Sequence, residues 1–252
     1  MGVAGAVCTI AVVDLEAACA LYGRDTLPQP LGRSRPVGSV WLLRRDVEPI
    51  EDRLRDGDLR AARTWVEALV RAEATVQCRV SFSDAGDPEL RVHGVRAGAS
   101  GYVAAQRRDR DGVDVVDIHA VSPYALSEAV VQSAGLVGAG GRIRVAAAGR
   151  EDLPAPPAAA AEYDDFGFLI PGAEPRDAAL EVVDGHKVVA IGTVRTWKDA
   201  DRHWGGEATR HVLQWIQIDG DGDYLYAPGG AGYAEPLDAQ LLGTCIDELI
   251  AG

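Results

Sequence analysis

Residues 113–126, VDVVDIHAVSPYAL, alternate apolar and polar side chains as far as Val121 and then offer Ser122 and Pro123 ahead of an apolar stripe of Leu126, Ala129 and Val130. Period-two alternation predicts a strand with one buried face. Serine is a favoured helix cap, and proline fits the first helical position, where no amide hydrogen is needed, so a helix follows the strand. The same order returns about 110 residues later, a period far too long for a solenoid. There His211 to Ile218 alternates, Asp219 to Asp223 is a turn, Tyr224 to Ala227 is a short strand, and Pro236 opens a helix with Leu241, Leu242, Cys245, Ile246 and Leu249. Two copies of a strand meander plus helix predict an α+β protein with a pseudo-twofold axis. Its strands merge into one central antiparallel sheet with helical bundles outside. The rival reading is two unrelated antiparallel units that converge on one pattern.

Working outward, residues 7–13 (VCTIAVV) predict a strand. Asp14 predicts the cap of a helix through Leu15, Ala18, Cys19 and Tyr22 that Gly23 stops. Residues 24–38 are rich in proline and glycine and read as irregular, and Val40 to Leu43 fits helix or strand. Asp58 predicts the cap of a helix whose face is Ala62, Trp65, Val66, Leu69 and Val70. Residues 76–82, 90–97, 101–106 and 188–196 predict further strands, with Ser83 to Glu89 a turn. Residues 158–184 predict two helical pieces broken near Pro171 and Gly172. The whole reads as one domain, 1–252, with an N-terminal half 1–134, a Gly/Ala/Pro-rich connection 135–157 containing a strand at Ile143 to Ala146, and a C-terminal half 158–252.

The chain has 252 residues and a net charge of −13. Residues 1–150 balance 19 basic against 19 acidic side chains, whereas residues 151–252 hold 6 against 19. Such a C-terminal half repels nucleic acid and anionic lipid and favours protein partners or plain solubility. Two lysines against 23 arginines suggest a GC-rich genome. Cys8, Cys19, Cys78 and Cys245 lack CxxC spacing and read as small apolar residues in a reducing compartment. No apolar run reaches membrane-span length, and the N-terminus lacks the basic start of a signal peptide, so a cytosolic protein without membrane insertion is expected.

Chemical motifs are sparse. Asp219, Asp221 and Asp223 resemble the start of a calcium loop, but Tyr224 and Gly230 stand where an EF-hand needs glycine and glutamate, so a hairpin turn is expected. Gly138, Gly140 and Gly141 mimic a nucleotide loop, but Ile143 replaces the third glycine, and a linker is expected. His93, His119, His186, His203 and His211 have no metal-ligand spacing. Ser100 has no GxSxG context. Asp164 and Asp165 read as a helix edge, and Phe166, Phe168, Leu169 and Ile170 as either core or a partner-binding patch. No catalytic, metal or cofactor residues are assigned, and a non-enzyme is expected. The alternatives are a hydrolase or ligand-binding enzyme using His119, His203 or His211, and a scaffolding homodimer paired through strand edges.

In sequence order, Asp14-Leu-Glu-Ala-Ala18, Leu27-Pro-Gln-Pro-Leu31, Ala68-Leu-Val-Arg-Ala72, Leu90 to Val95, Gly101-Tyr-Val-Ala-Ala105, Val121 to Leu126, Tyr163 to Gly167, Arg176 to Leu180 and Gly222-Asp-Tyr-Leu225 resemble the EspG family of type VII (ESX) secretion chaperones. Residues 32–58 depart from the family pattern, and Asp223 stands where a basic residue is usual. The resemblance implies a quasi-twofold sheet between helical bundles. It also implies a cytosolic chaperone, monomeric or weakly dimeric, that keeps a PE/PPE-like helical hairpin or other ESX cargo soluble for export. By position, the partner-binding loop would be Asp84, Ala85, Gly86, Asp87, Pro88 and Glu89, with Phe166 and Phe168 as further candidates.

Overall fold

The structure is a computed structural model that describes residues 5–34, 48–84, 88–148, 180–198, 212–226 and 233–251. In chain order the elements are β1 (Cys8–Ala11), α1 (Val12–Leu21), α2 (Ile50–Arg55), α3 (Arg60–Val70), β2 (Ala74–Phe82), β3 (Leu90–Ala97), β4 (Ser100–Arg108), β5 (Asp114–Val121), α4 (Leu126–Ser133), β6 (Arg144–Ala148), β7 (Leu180–Asp184), β8 (Val188–Lys198), β9 (Val212–Ile218), β10 (Gly222–Tyr226), β11 (Ala234–Pro236) and α5 (Ala239–Ala251).

All eleven described strands form one sheet in the order β1-β5-β4-β3-β2-β8-β9-β10-β11-β6-β7. Its centre is the antiparallel seam β2–β8, from Ala74 opposite Lys198 to Phe82 opposite Ala190. On each side of the seam stands a four-strand meander ending in a helix: β2 to β5 with α4, and β8 to β11 with α5. Each meander gains an outer antiparallel strand, β1 on β5 and β6 on β11. The two halves are thus related by a pseudo-twofold axis at the seam. β7, parallel to β6, breaks the match.

Alternation along β2 splits the core between the sheet's two faces. Ala74, Val76, Cys78 and Val80 join Val194 and Trp215 beneath α4 and α5, whose Leu126, Val130, Leu242 and Ile246 are fully enclosed. The opposite face of β3 to β5 offers Val95, Ala104, Val116 and Ile118 to α1 and α3, with Trp65 at the centre. A smaller cluster of Val145, Val183, Ile218 and Tyr224 occupies the second half. Trp215 lies over Gly192, where a Cβ would stand 2.0 Å from its indole ring, so no larger residue fits.

Several local expectations are corrected. Helix α1 begins two residues before Asp14, and α3 is flanked by Leu59, not capped by Asp58. Both carboxylates instead hold Arg53 of α2, each at 2.9 Å. That short helix had no apolar periodicity to reveal it. Val70 turns partly to solvent at 36 % exposure. Pro236 ends a strand and does not open a helix, and Asp238 caps the last helix by accepting from the Leu241 amide at 2.7 Å. Residues 180–184, expected to be helical, form β7. Ser122 does accept from the Tyr124 amide, at 3.3 Å, but a 3-10 turn comes before α4. Cys8, Cys19 and Cys78 are buried free thiols, and burial pushes Cys78 up to about 12. Cys245 is half-buried and free. The rest of the expected 158–184 helices, and Val40 to Leu43, lie outside the described residues.

Candidate functional site

The turn between β2 and β3 carries the expected partner loop. Ser83, Asp84 and Pro88 are exposed, and Glu89 is half-buried. Ala85, Gly86 and Asp87, like Phe166 and Phe168, lie outside the described residues. Strand register brings Arg79 opposite Arg91, and two cations side by side on a sheet repel. Glu89 resolves this. One carboxylate oxygen accepts from Arg79 at 2.5 and 3.1 Å and from the Ser81 hydroxyl at 3.0 Å, and the other accepts from Arg91 at 2.9 and 3.1 Å. Burial alone pushes the Glu89 carboxyl up, but the hydrogen bonds from Arg79, Arg91 and Ser81 outweigh it and hold it below the usual range. The loop is therefore clamped at its base. Glu89→Gln should cost about 1 kcal/mol, since much of the network faces solvent. Hydrogen exchange at the Ser81 to Arg91 amides should accelerate, and unchanged exchange would disprove the clamp.

The loop base also touches the helical layer. Phe82 and Leu90 pack on the cluster beneath α4 and α5. A Cβ on Gly135, just past α4, would come within 2.9 Å of Leu90 Cδ1. The loop and the helix layer thus form one continuous surface.

On the other face, the proline-rich segment after α1 folds down onto the sheet centre. Gln106 donates to the Gly32 carbonyl at 2.6 Å and accepts from its amide at 2.9 Å. Arg91 donates to the same carbonyl at 3.0 Å, and His93 Nδ1 donates to the Gln29 carbonyl at 2.8 Å. Between this segment and the seam lies a cavity of about 360 Å³, lined by Gln29 to Gly32 and by Gln77, Arg79, Arg91, Thr193 and Arg195. Sequence reading missed it, because polar residues at alternate strand positions look solvent-facing. The signal lay in the register, which stacks Arg79 between Arg91 and Thr193, and Gln77 beside Arg195.

The aspartate turn is a hairpin between β9 and β10, as expected. Its carboxylates hold the chain 137–142. Asp221 accepts from the Gly141 amide at 2.9 Å and the Tyr224 hydroxyl at 2.6 Å, and pairs with Arg142. Asp223, 1 % exposed, accepts from the amides of Val137 and Gly138 at 2.7 and 2.9 Å. Gly140 serves packing, since a Cβ there would stand 1.9 Å from the Tyr224 ring. Among the described residues no three His, Cys, Asp or Glu side chains gather to hold a metal. His93 is buried, His119 lies on β5, and His186 is exposed beside Asp184. His203 and His211 lie outside the described residues, as do Asp164 and Asp165. Ser100 starts β4, paired with Ala97. No described helix is long and apolar enough to cross a membrane.

These features define a class: an α+β protein of two strand meanders joined edge to edge into one sheet, with helices on its faces. A solved structure of that class is the Mycobacterium tuberculosis type VII secretion system chaperone EspG5, determined in complex with a PE25–PPE41 dimer. It is similar over 96 % of this chain and 95 % of its own, with a TM-score of 0.50 and 15 % identity. The resemblance to the EspG family read from the sequence is thus borne out in the fold. No protein-family model matches the sequence, and no curated protein does.

Proposed function

We propose that this protein is a cytosolic, non-enzymatic chaperone for a type VII secretion substrate, holding a PE/PPE-like helical hairpin or other ESX cargo in soluble form. The observation that carries the reading is the near full-length likeness in fold to a chaperone solved with such cargo. The surface fits the task. A helical hairpin exposes apolar side chains at its tip, and covering them needs a rigid scaffold with a projecting loop beside a helix face. Here the clamped loop from Ser83 to Glu89 adjoins the layer of α4 and α5. Exposed Tyr124, 91 % accessible, and Leu241, 40 %, add apolar area near that layer.

Co-expression with PE/PPE-like or other ESX substrates encoded nearby should give a complex that co-purifies. Replacing both Asp84 and Pro88 by arginine should weaken that complex roughly tenfold or more, as loss of central interface contacts does, with an unchanged melting temperature. Failure of every such substrate to co-purify would overturn the proposal.

A further inference from the structure

We infer that the cavity on the pseudo-twofold seam is a binding site for a small oxyanion ligand, of carboxylate or phosphate type. Its position is unusual for charge. It lies at the centre of the described sheet, yet three arginines line it, in a chain whose net charge is −13. Glu89 supplies one carboxylate against Arg79 and Arg91, and among the described residues the cavity lining itself contains no acidic side chain. The cluster of three arginines and one glutamate therefore keeps a surplus of positive charge.

Arg195 is the telling residue. Its Nε is buried and has no hydrogen-bond partner among the described residues. A buried charged donor left unpaired is costly, so proteins pair such groups or give them a ligand. Arg91 is already committed, through Nε and Nη2 to Glu89 and through Nη1 to the Gly32 carbonyl. Arg79 spends Nε and one terminal nitrogen on Glu89. Among the described residues, the lining groups without a hydrogen-bond partner are Arg195, the other end of Arg79, the Gln77 amide and the Thr193 hydroxyl. This set of donors matches an oxyanion, and arginine's planar fork suits carboxylate and phosphate oxygens. The volume, about 360 Å³, is at the small end of ligand pockets, which fits a metabolite-sized anion and not a helix.

The two meanders both contribute, Gln77 and Arg79 from β2 and Thr193 and Arg195 from β8. A bound anion would thus tie the halves together at their seam. This assignment does not depend on the chaperone reading, and its failure would leave the co-purification test standing.

The test is calorimetric titration of the full chain with succinate and with inorganic phosphate at fixed ionic strength, and with neutral succinamide as control. One or both anions should bind and raise the melting temperature, and succinamide should not. Arg195→Gln should weaken anion binding roughly tenfold, the scale of losing one charge-assisted pair, and Arg195→Lys should restore part of it. Arg110→Gln, on an exposed turn, should change nothing. Melting curves of each variant separate lost binding from lost folding, and Thr193→Val provides a second, uncharged probe of the same wall. Preference for succinate or for phosphate identifies the ligand type. Absence of binding by either anion at millimolar concentration, or equal binding by Arg195→Gln, would overturn the assignment.

Discussion

Asp223→Ala should lower the unfolding free energy by about 1–3 kcal/mol, mostly by leaving two part-buried amides without an acceptor. The Val137 and Gly138 N–H groups both point at one Asp223 oxygen, and alanine offers them nothing. The backbone bonds survive the change: the Asp223 amide still donates to Gly138 and its carbonyl still accepts from Gly140 and Leu237. The site should loosen without losing its path. Asn keeps one acceptor oxygen, so Asp223→Asn should cost less than half as much. Their pH dependence should also differ. Burial pushes the Asp223 carboxyl above its usual range, against the pull of the two amides. The folded state therefore holds this proton to higher pH than the unfolded chain, and the residue's contribution falls as pH rises from about 4 through its folded value. Asp223→Asn removes that fall. Urea unfolding of the three proteins at pH 4.5 and 7 is the measurement, and equal stability of Asp223→Ala and the parent would refute the clamp.

Acidification should expose a second weak point. His93 is 2 % exposed, its Nδ1–H is committed to the Gln29 carbonyl, and its Nε2 is buried with no partner among the described residues. The ring meets Trp65 edge to face at 6.4 Å. A second proton would sit on Nε2 with no acceptor. Burial drives the His93 pKa down to about 4, with nearby Arg24 adding to the effect and the Gln29 carbonyl opposing it. The unfolded histidine takes up its proton near pH 6.5 while the folded one does not until about 4. Stability is thus full above pH 6.5 and is lost as pH falls toward 4, by about 3 kcal/mol in all. Asp58, Asp117 and Asp221, also held low, lose their contributions below that window, and Glu89 begins to lose its own only near its lower end. His93→Gln, which cannot titrate, should flatten the slope between pH 6.5 and 4.5. An identical slope for His93→Gln and the parent would refute the account.

Sequence patterning was most informative where burial repeats every second residue. Val76, Cys78 and Val80 on β2, and Val116 and Ile118 on β5, are buried because one face of each strand meets helices. The twin meanders followed from the matched order of strands, turn and helix. Helix starts were less legible. Asp14 and Asp58 have the chemistry of caps, but a tertiary partner, Arg53, competes for both. Pro236 suits a helix start and equally the end of a short strand whose pairing is nearly finished. The loop's extent could be read from its turn residues. The Glu89 clamp and the arginine cavity could not, because both depend on which residue of one strand faces which of another. Asp223 seemed a departure from the family pattern, and burial explains it: the position holds the connection from inside.

The seam between β2 and β8 carries a cost during synthesis. β2 is complete at Phe82, but its partner is finished only at Lys198, roughly a hundred residues later. A ribosome adds about 5–20 residues per second, so this edge waits several seconds or more with its row of amides and carbonyls unmatched. During that interval a nascent chain can pair wrongly with a neighbour. Arg79, midway along β2 and 56 % accessible even in the finished fold, places charge where a flat apolar strand would invite aggregation.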